Sequence, residues 1–241
     1  MMRRVVFGCA GVLLVASLAN AQQVVFSRRV YQVRGRSFQQ LWAWSVADGK
    51  LAQLTNDPRD HTSPICPADG RDLPGVEPAC DDDTAVASPD RSRVACTARG
   101  REIVILDFDT RREIARIPFQ QHYLSGEPYP PWPLESSWSP DGRYLLVGTG
   151  AVTNSTSPHL DYFVLDLPTE RWTRAFSGNH PVWLPDSTRV VFSTERDLVP
   201  LPGSPKQKVW VAHLALYDYA TGAARLLTSG VSNNEQPTLC R

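Results

Sequence analysis

Three features of the sequence predict an all-β protein built from short antiparallel strands. The chain has 241 residues, 42% of them hydrophobic, which is enough apolar material for a sizeable core. It contains 20 prolines, and because a proline costs roughly 3 kcal/mol inside a helix, a helical bundle is disfavoured. Finally, one tight-turn motif recurs between short apolar runs, as strands joined by hairpins require.

The turn motif is clearest at residues 139–143, which read Ser-Pro-Asp-Gly-Arg and precede the apolar run 144–147. Proline in the second position, followed by Asp and Gly, fits a type I turn that joins two strands. Related turns begin at Ser88 and Leu184, and each of them also precedes an apolar run. We therefore predict three hairpins of the same kind.

A second element recurs after each hairpin. An apolar strand that ends in Asp and a turn is found at residues 103–110, 162–169 and 214–221. A short strand then closes each unit, at residues 113–117, 171–176 and 223–228. Each unit is thus predicted to contain strands A to D, with a tight turn between A and B and another between C and D.

The first unit lacks its A strand. Residues 24–27, 41–46 and 51–55 supply its strands B, C and D. At the other end of the chain, residues 236–240 align with the A strand at 180–184. Because a C-terminal strand that completes the first unit closes a ring, the sequence predicts a β-propeller of about four blades, each a four-stranded antiparallel sheet. The alternative is an incomplete arc of a larger propeller, in which the ring is not closed.

These repeats resemble the propeller repeats of the TolB type. The resemblance is carried by residues 54–58 (Leu-Thr-Asn-Asp-Pro), by 63–65 (Ser-Pro-Ile) and above all by 139–143. It covers essentially all of the chain after residue 21 and implies a propeller fold. It implies no single function, because such repeats occur in periplasmic scaffolds, in prolyl oligopeptidase propellers and in many secreted proteins. The chain differs from TolB itself in lacking the α/β domain before the propeller, and it has fewer blades than its relatives usually have.

The first 21 residues have the pattern of a secretory signal peptide. Arg3 and Arg4 precede an apolar run at 5–18, and Ala19-Asn20-Ala21 supplies a small-x-small cleavage site. The apolar run is too short to span about 30 Å of hydrocarbon, which disfavours a membrane anchor. We therefore predict cleavage after Ala21, a propeller domain at 22–241, a periplasmic or secreted location, and no membrane span in the mature chain.

Charge and motif content disfavour several function classes. The formal net charge is zero, so the chain lacks the excess of basic residues that nucleic-acid binding requires. It contains no Gly-x-Ser-x-Gly elbow, no His-Glu-x-x-His motif and no glycine-rich phosphate loop. The three aspartates at 81–83 lack the alternating ligands and turn glycine of a calcium loop. We therefore predict a protein that is not an enzyme and that needs no cofactor or metal.

The predicted topology places the long connections at one end of the units. They cover residues 29–39, 56–83, 119–135, 151–159 and 196–208. Binding residues concentrate on such loops. The connection at 119–135 carries four aromatic or imidazole side chains, His122, Tyr123, Tyr129 and Trp132. Several prolines in this connection limit its flexibility, so less entropy is lost when it binds a partner. We predict that they bind a partner, although Trp132 could equally pack down over the edges of the blades.

The aligned A strands begin with four polar residues, Thr84, Glu135, His180 and Gln236. In a closed ring these residues would surround one mouth of the central channel. A carboxylate and an imidazole there could hold a cation or orient a small ligand. The alternative is that polar residues at strand starts satisfy neighbouring backbone groups.

Three functions are compatible with these predictions. The favoured one is a secreted or periplasmic binding scaffold that recognises an envelope or secreted protein, or a peptide, through the long loops. The first alternative is a noncatalytic propeller remnant related to prolyl oligopeptidase-type peptidases. The second is a small-molecule hydrolase that uses the channel mouth. Fold alone does not choose among them, because function resides in sites placed on folds.

Cys66 and Cys80 are predicted to form a disulfide. Of the five cysteines, Cys9 lies in the leader, which leaves Cys66, Cys80, Cys96 and Cys240. Cys66 and Cys80 bracket a loop rich in proline and glycine, and a zinc site is disfavoured because no Cys-x-x-Cys pair exists. Non-reducing peptide mapping of the oxidised protein should give a peptide that links these two cysteines. A linkage of either one to Cys96 or Cys240, or free-thiol labelling of both, would contradict the pairing.

Overall fold

The computed structural model describes residues 22–32, 36–62, 64, 84–98, 102–119, 132–150 and 160–240. Seventeen strands form within these ranges, and no α-helix is present there. Accordingly, none of the described residues belongs to a helix that could cross a membrane. The strands are β1 (Gln23–Val30), β2 (Gln39–Ser45), β3 (Leu51–Gln53), β4 (Val86–Ala87), β5 (Arg93–Ala98), β6 (Glu102–Asp107), β7 (Glu113–Pro118), β8 (Trp132–Trp138), β9 (Tyr144–Gly150), β10 (Leu160–Asp166), β11 (Arg171–Trp183), β12 (Arg189–Ser193), β13 (Asp197–Leu201), β14 (Ser204–Val211), β15 (Leu214–Asp218), β16 (Ala223–Leu226) and β17 (Ser232–Cys240).

The strands form antiparallel sheets that follow the predicted A-to-D order. One four-stranded sheet has the order β17-β1-β2-β3 and another the order β4-β5-β6-β7. A seven-stranded sheet has the order β16-β15-β12-β11-β10-β9-β8, and β13 and β14 form a separate hairpin. The long strand β11 pairs with β10 up to Gly178 and with β12 from Asn179 onward. The seven-stranded sheet therefore consists of two four-stranded groups that are joined through β11.

The recurring turns have the predicted geometry. At 139–143 the Gly142 amide donates to the Ser139 carbonyl at 2.9 Å, which closes the turn, and Gly142 has a φ of +69°. The Asp141 carboxylate accepts from the Ser139 hydroxyl at 2.6 Å and from the Arg143 amide at 3.0 Å. The Ser88 turn repeats this network through Asp90, whose pKa falls to about 2 because the hydroxyls of Ser88 and Ser92 donate to its carboxylate. The sequence prediction of hairpin turns is confirmed.

Apolar side chains pack the sheets face to face. Three clusters fill the interfaces: one joins the β4–β7 sheet to β8–β11, one joins β8–β11 to the β11–β16 group, and one joins that group to β1 and β2. Trp138 and Trp183 are buried in the first and second clusters. Among the described residues no apolar cluster joins β1–β3 to β4–β7, so a closed ring is not observed there.

Indole N–H groups link adjacent sheets at equivalent places. The Trp138 ring donates to the Val86 carbonyl at 3.0 Å, and the Trp183 ring donates to the Ser137 carbonyl at 3.2 Å. Each bond runs from one A strand to the A strand before it. Trp172 makes a similar bond to Pro118 at 3.2 Å between outer strands. Because a buried tryptophan needs an acceptor for its N–H, these bonds satisfy the indoles at the sheet interfaces.

The C-terminal strand pairs with the first strand, as predicted. Leu239 lies opposite Val24 and Thr238 lies opposite Val25 in the antiparallel β17–β1 ladder. Gln236 and His180 occupy equivalent places in β17 and β11, and both have a positive φ, +54° and +50°, before a proline. A register shift accompanies each of them. The sequence repeat therefore extends to a shared bulge in two A strands.

Removing residues 236–241 should strongly destabilise the protein. The deletion would leave Gln23, Val24 and Val25 of β1 without ladder partners and would expose part of the cluster that contains Val24 and Leu239. Each lost backbone pair contributes about 1 kcal/mol, and burial of each large apolar side chain adds roughly 1.5–3 kcal/mol. We expect loss of cooperative urea unfolding, or aggregation through the open edge of β1. Removal of Arg241 alone is the control, and an unchanged midpoint for the six-residue deletion would contradict the role of β17.

Candidate functional site

The longer connections gather at one end of the strands. Tight turns join β2 to β3, β4 to β5, β6 to β7, β8 to β9, β10 to β11, β11 to β12 and β15 to β16. The connections at the other end are mostly longer, and they include 31–38, 54–85, 119–131, 151–159 and 194–213, with shorter ones at 99–101 and 227–231. We call this end the loop end. Strands β8, β11 and β17 begin or bulge toward it, so the starts of these A strands lie there.

Most of the predicted partner-binding residues lie outside the described residues. This holds for His122, Tyr123 and Tyr129, and also for Cys66, Cys80, the leader at 1–21 and the aspartates at 81–83. Trp132 is the first residue of β8. The predictions for these residues therefore stand as predictions, and the site is built below from the part of the loop end that the structure describes.

The structure brings together Glu135 and His180, two of the four residues that the sequence placed at the channel mouth. Both line a cavity of about 150 Å³, which we call the tyrosine cavity, and its walls also include Ser137 and Tyr162. The Tyr162 hydroxyl donates to the Glu135 carboxylate in a short hydrogen bond. Burial, followed by this hydrogen bond, raises the pKa of Tyr162 far above its ordinary value. The phenol is therefore held neutral and serves to position the Glu135 carboxylate.

Gly148 makes this arrangement possible. A Cβ at this position would lie 2.8 Å from Cε1 of Tyr162 and 3.0 Å from Cγ of Glu135. Both distances are shorter than ordinary carbon–carbon contacts. Any larger residue at 148 would therefore push the tyrosine and the carboxylate out of place.

A second cavity, of about 160 Å³, shares His180 with the first. Its walls include Asn179, Ser193, Thr194, Arg196, Ala212 and Glu235. Because Arg196 directly precedes β13 and Ala212 directly follows β14, we call it the hairpin cavity. His180 thus forms part of the boundary between two cavities, and its position is fixed by the bulge in β11.

An ion pair lies in the wall of the hairpin cavity. The Arg196 guanidinium contacts the Glu235 carboxylate, whose side chain is only 16% exposed. Tyr31 lies within electrostatic reach of both members of the pair. The pKa of its phenol is raised, mainly by burial; Glu235 also raises this pKa, whereas Arg29 and Arg196 lower it. Ser193 is buried, and its hydroxyl has no hydrogen-bond partner in the described part of the chain.

Thr84 and Gln236 line neither of the two cavities. The Thr84 hydroxyl accepts from the Thr97 amide at 2.8 Å, which is the backbone-satisfying role that the sequence left open. At the C-terminal strand it is Glu235, one residue before Gln236, that reaches a cavity. No group of three or more His, Cys, Asp or Glu side chains within the described ranges is placed to hold a metal ion.

The β13–β14 hairpin presents an apolar pair at the loop end. Leu198 and Trp210 lie opposite each other in its ladder and are 46% and 37% exposed. Lys206 and Lys208, on β14, are also exposed. The sequence marked this connection as long but did not single out these residues, because a hairpin inside it is not evident from the turn motifs.

Comparison with known proteins gives structural similarity only. No family model and no curated protein sequence matches the chain. Dipeptidyl peptidase 4 of Porphyromonas gingivalis superposes with a TM-score of 0.43 at 13% identity, over 61% of this chain and 19% of that one. The tricorn protease superposes with a TM-score of 0.39 at 10% identity, over 75% of this chain and 16% of that one. An oligogalacturonate lyase in complex with manganese superposes with a TM-score of 0.33 at 14% identity, over 80% of this chain and 59% of that one. The chain spans less than two thirds of each of these proteins, and the similarity bears on no activity.

Tyr162→Phe should reduce the loss of stability at alkaline pH. The fold holds the pKa of Tyr162 above its ordinary value of 10.0. The stabilisation that this shift gives to the folded state is complete below pH 10.0. It is lost as the pH rises further, because the Tyr162 phenol of the unfolded chain then ionises. Between about pH 9 and 11 the urea midpoint of the wild-type protein should fall more steeply than that of the variant. Leu160→Ala, which weakens the same apolar cluster without removing a phenol, is the control and should keep the wild-type slope. Equal slopes for wild type and Tyr162→Phe would contradict the neutral-phenol assignment.

Proposed function

We propose that the protein is a β-propeller-type scaffold that is not an enzyme and that binds a protein or peptide partner through its loop end. The observation that carries the proposal is the exposed cross-strand pair Leu198 and Trp210 on the β13–β14 hairpin. With removal of residues 1–21, the scaffold would act in the periplasm or outside the cell, on an envelope or secreted partner. A propeller of about four blades is part of the proposal, since the described sheets follow the four-stranded blade pattern.

Exposure of this pair has a cost that a partner would remove. Tryptophan is enriched among the residues that dominate binding energy at protein interfaces. The hairpin has a strand ladder of its own, so its backbone is ordered before a partner arrives, and less entropy is lost on binding. Other exposed apolar side chains, such as Ile114 on β7 and Leu226 on β16, lie on outer edge strands that the tight C–D turns connect.

A paired set of variants tests the proposal. The mature protein would be immobilised and used to capture partners from an envelope extract of the producing cells, with mass spectrometry of what is retained. Replacing a dominant interface aromatic costs about 2 kcal/mol or more, which is more than tenfold in affinity. The double variant Leu198→Ser/Trp210→Ser should therefore lose at least tenfold of a specific captured partner.

The matched control is Ile114→Ser/Leu226→Ser, which removes two apolar side chains of comparable exposure from edge strands. It should capture the partner as well as the wild-type protein does. Equal capture by both double variants, or equal loss from both, would contradict binding through the hairpin. Circular dichroism and urea midpoints of the two variants establish that both are folded.

A further inference from the structure

The β13–β14 hairpin has an inward face and an outward face. On the inward face Leu201 and Val211 are 2% and 5% exposed, and the pair of valines at 199 and 209 is half-buried. Because side chains alternate across a strand, the neighbouring pairs of the ladder point the opposite way. The exposed residues of this outward face are Leu198, Pro200, Lys208 and Trp210. A partner therefore meets two large apolar side chains and a cation side by side.

The outward face is positively charged. Lys208 lies on it, and Lys206, two positions earlier on β14, is exposed as well. Neither lysine forms an ion pair within the described part of the chain. Asp197 occupies a ladder position of the inward face, and Glu195 and Arg196, which precede the hairpin, both have partners already. Carboxylates are the groups that complement the uncompensated charge of the two lysines.

The outer edge of β14 is open to a further strand. The hairpin is a sheet of only two strands, so each strand has one unpaired side. β13 contains Pro200, which lacks an N–H and blunts its edge. β14 has no proline after Pro205, and no backbone hydrogen bond links residues 206–211 to any described residue outside the hairpin. Just beyond β14, the Ala212 carbonyl accepts from the Asn234 amide of β17 at 3.0 Å, so this side of the chain already receives a strand.

A peptide fits this surface better than a lipid surface does. Recognition of anionic lipids takes clusters of about four to eight basic residues, whereas the exposed cations of β14 are the two lysines. An open strand edge supplies main-chain hydrogen bonds to an extended peptide, and alternate side chains of the peptide then give specificity. The surface therefore favours an extended peptide with acidic side chains.

We propose that the hairpin binds an extended, acidic segment of its partner, which adds as a third strand to the outer edge of β14. Main-chain hydrogen bonds to residues 206–211 hold the segment. Its carboxylates lie beside Lys206 and Lys208, and an apolar side chain covers Trp210. This inference rests on the proposed function, because it states which chemistry the partner presents to the hairpin.

Two fluorescently labelled peptides test the proposal. The acidic peptide repeats Thr-Glu-Thr-Leu twice, so that glutamate and leucine share one face of the extended chain, and the basic peptide has lysine in place of glutamate. Binding to the mature protein would be measured by fluorescence anisotropy at low salt. The acidic peptide should bind at least tenfold more tightly than the basic one, because like charges repel across an interface.

Backbone methylation tests whether the peptide pairs as a strand. Two versions of the acidic peptide would be N-methylated at alternate residues, one in each phase. Only alternate N–H groups of an added strand face the ladder. One phase should therefore lose about tenfold more affinity than the other, since methylation in that phase removes the main-chain hydrogen bonds.

Charge reversal on the hairpin locates the site. Lys206→Glu/Lys208→Glu should weaken binding of the acidic peptide about tenfold, because two weak attractions become repulsions, and the difference should shrink at about 1 M salt. Arg171→Glu/Arg225→Glu is the matched control, since these cations are exposed on β11 and β16 and form no ion pair among the described residues. The control should bind as the wild-type protein does, and urea midpoints establish that both variants are folded.

Four results would each overturn the proposal. They are equal affinity for the acidic and basic peptides, equal affinity for the two methylated peptides, equal effects of the two charge-reversal variants, and lysine-dependent binding to phosphatidylglycerol vesicles without binding of the acidic peptide. The proposed function has a separate readout. Capture that depends on Leu198 and Trp210 but not on the two lysines would uphold a partner-binding hairpin and reject the acidic strand.

Discussion

The structure depends on sheets whose central strands are buried on both faces. In β5, β6, β12 and β15 almost every consecutive residue is buried, whereas the outer strands β3 and β16 are exposed throughout. A strand of this kind needs a neighbouring sheet on each side, because either face left open would place apolar side chains in water. Stacking of neighbouring sheets meets that requirement for β12 and β15, whose two faces lie in the second and third clusters, and indole hydrogen bonds also link adjacent sheets.

The same requirement places the candidate site. Where the faces of the sheets are used for packing, the surfaces left for binding are the two ends of the strands and the exposed edge strands. The tight-turn end is closed by its own hydrogen bonds, among them the Arg93 guanidinium to the Gly142 carbonyl at 2.7 Å and the Asp141 amide to the Ser187 hydroxyl at 3.0 Å. The loop end has the longer connections, and both cavities lie near the A strands that start there.

The sequence predicted what depends on local chemistry and on repetition. The Ser-Pro-Asp-Gly turn is local, and its geometry follows from proline, Asp and Gly within a few residues. The β17–β1 pairing was accessible because residues 236–240 repeat those at 180–184. The aligned strand starts singled out Glu135 and His180, but the other residues of the two cavities could not be predicted, because their walls join residues distant in the sequence. Tyr162 and Glu135 are 27 positions apart, and no motif indicates that Arg196 meets Glu235.

Pairing of the first strand with the last has a consequence for how the chain folds. The Ser27 hydroxyl donates to the Glu235 carbonyl across 208 positions of sequence, and the ladder around it is equally non-local. Contacts of this kind form late and slow the folding of a domain. The first sheet cannot be completed until residues 232–240 have been synthesised. Until then β1 has an unpaired edge, which is a site for non-native strand pairing.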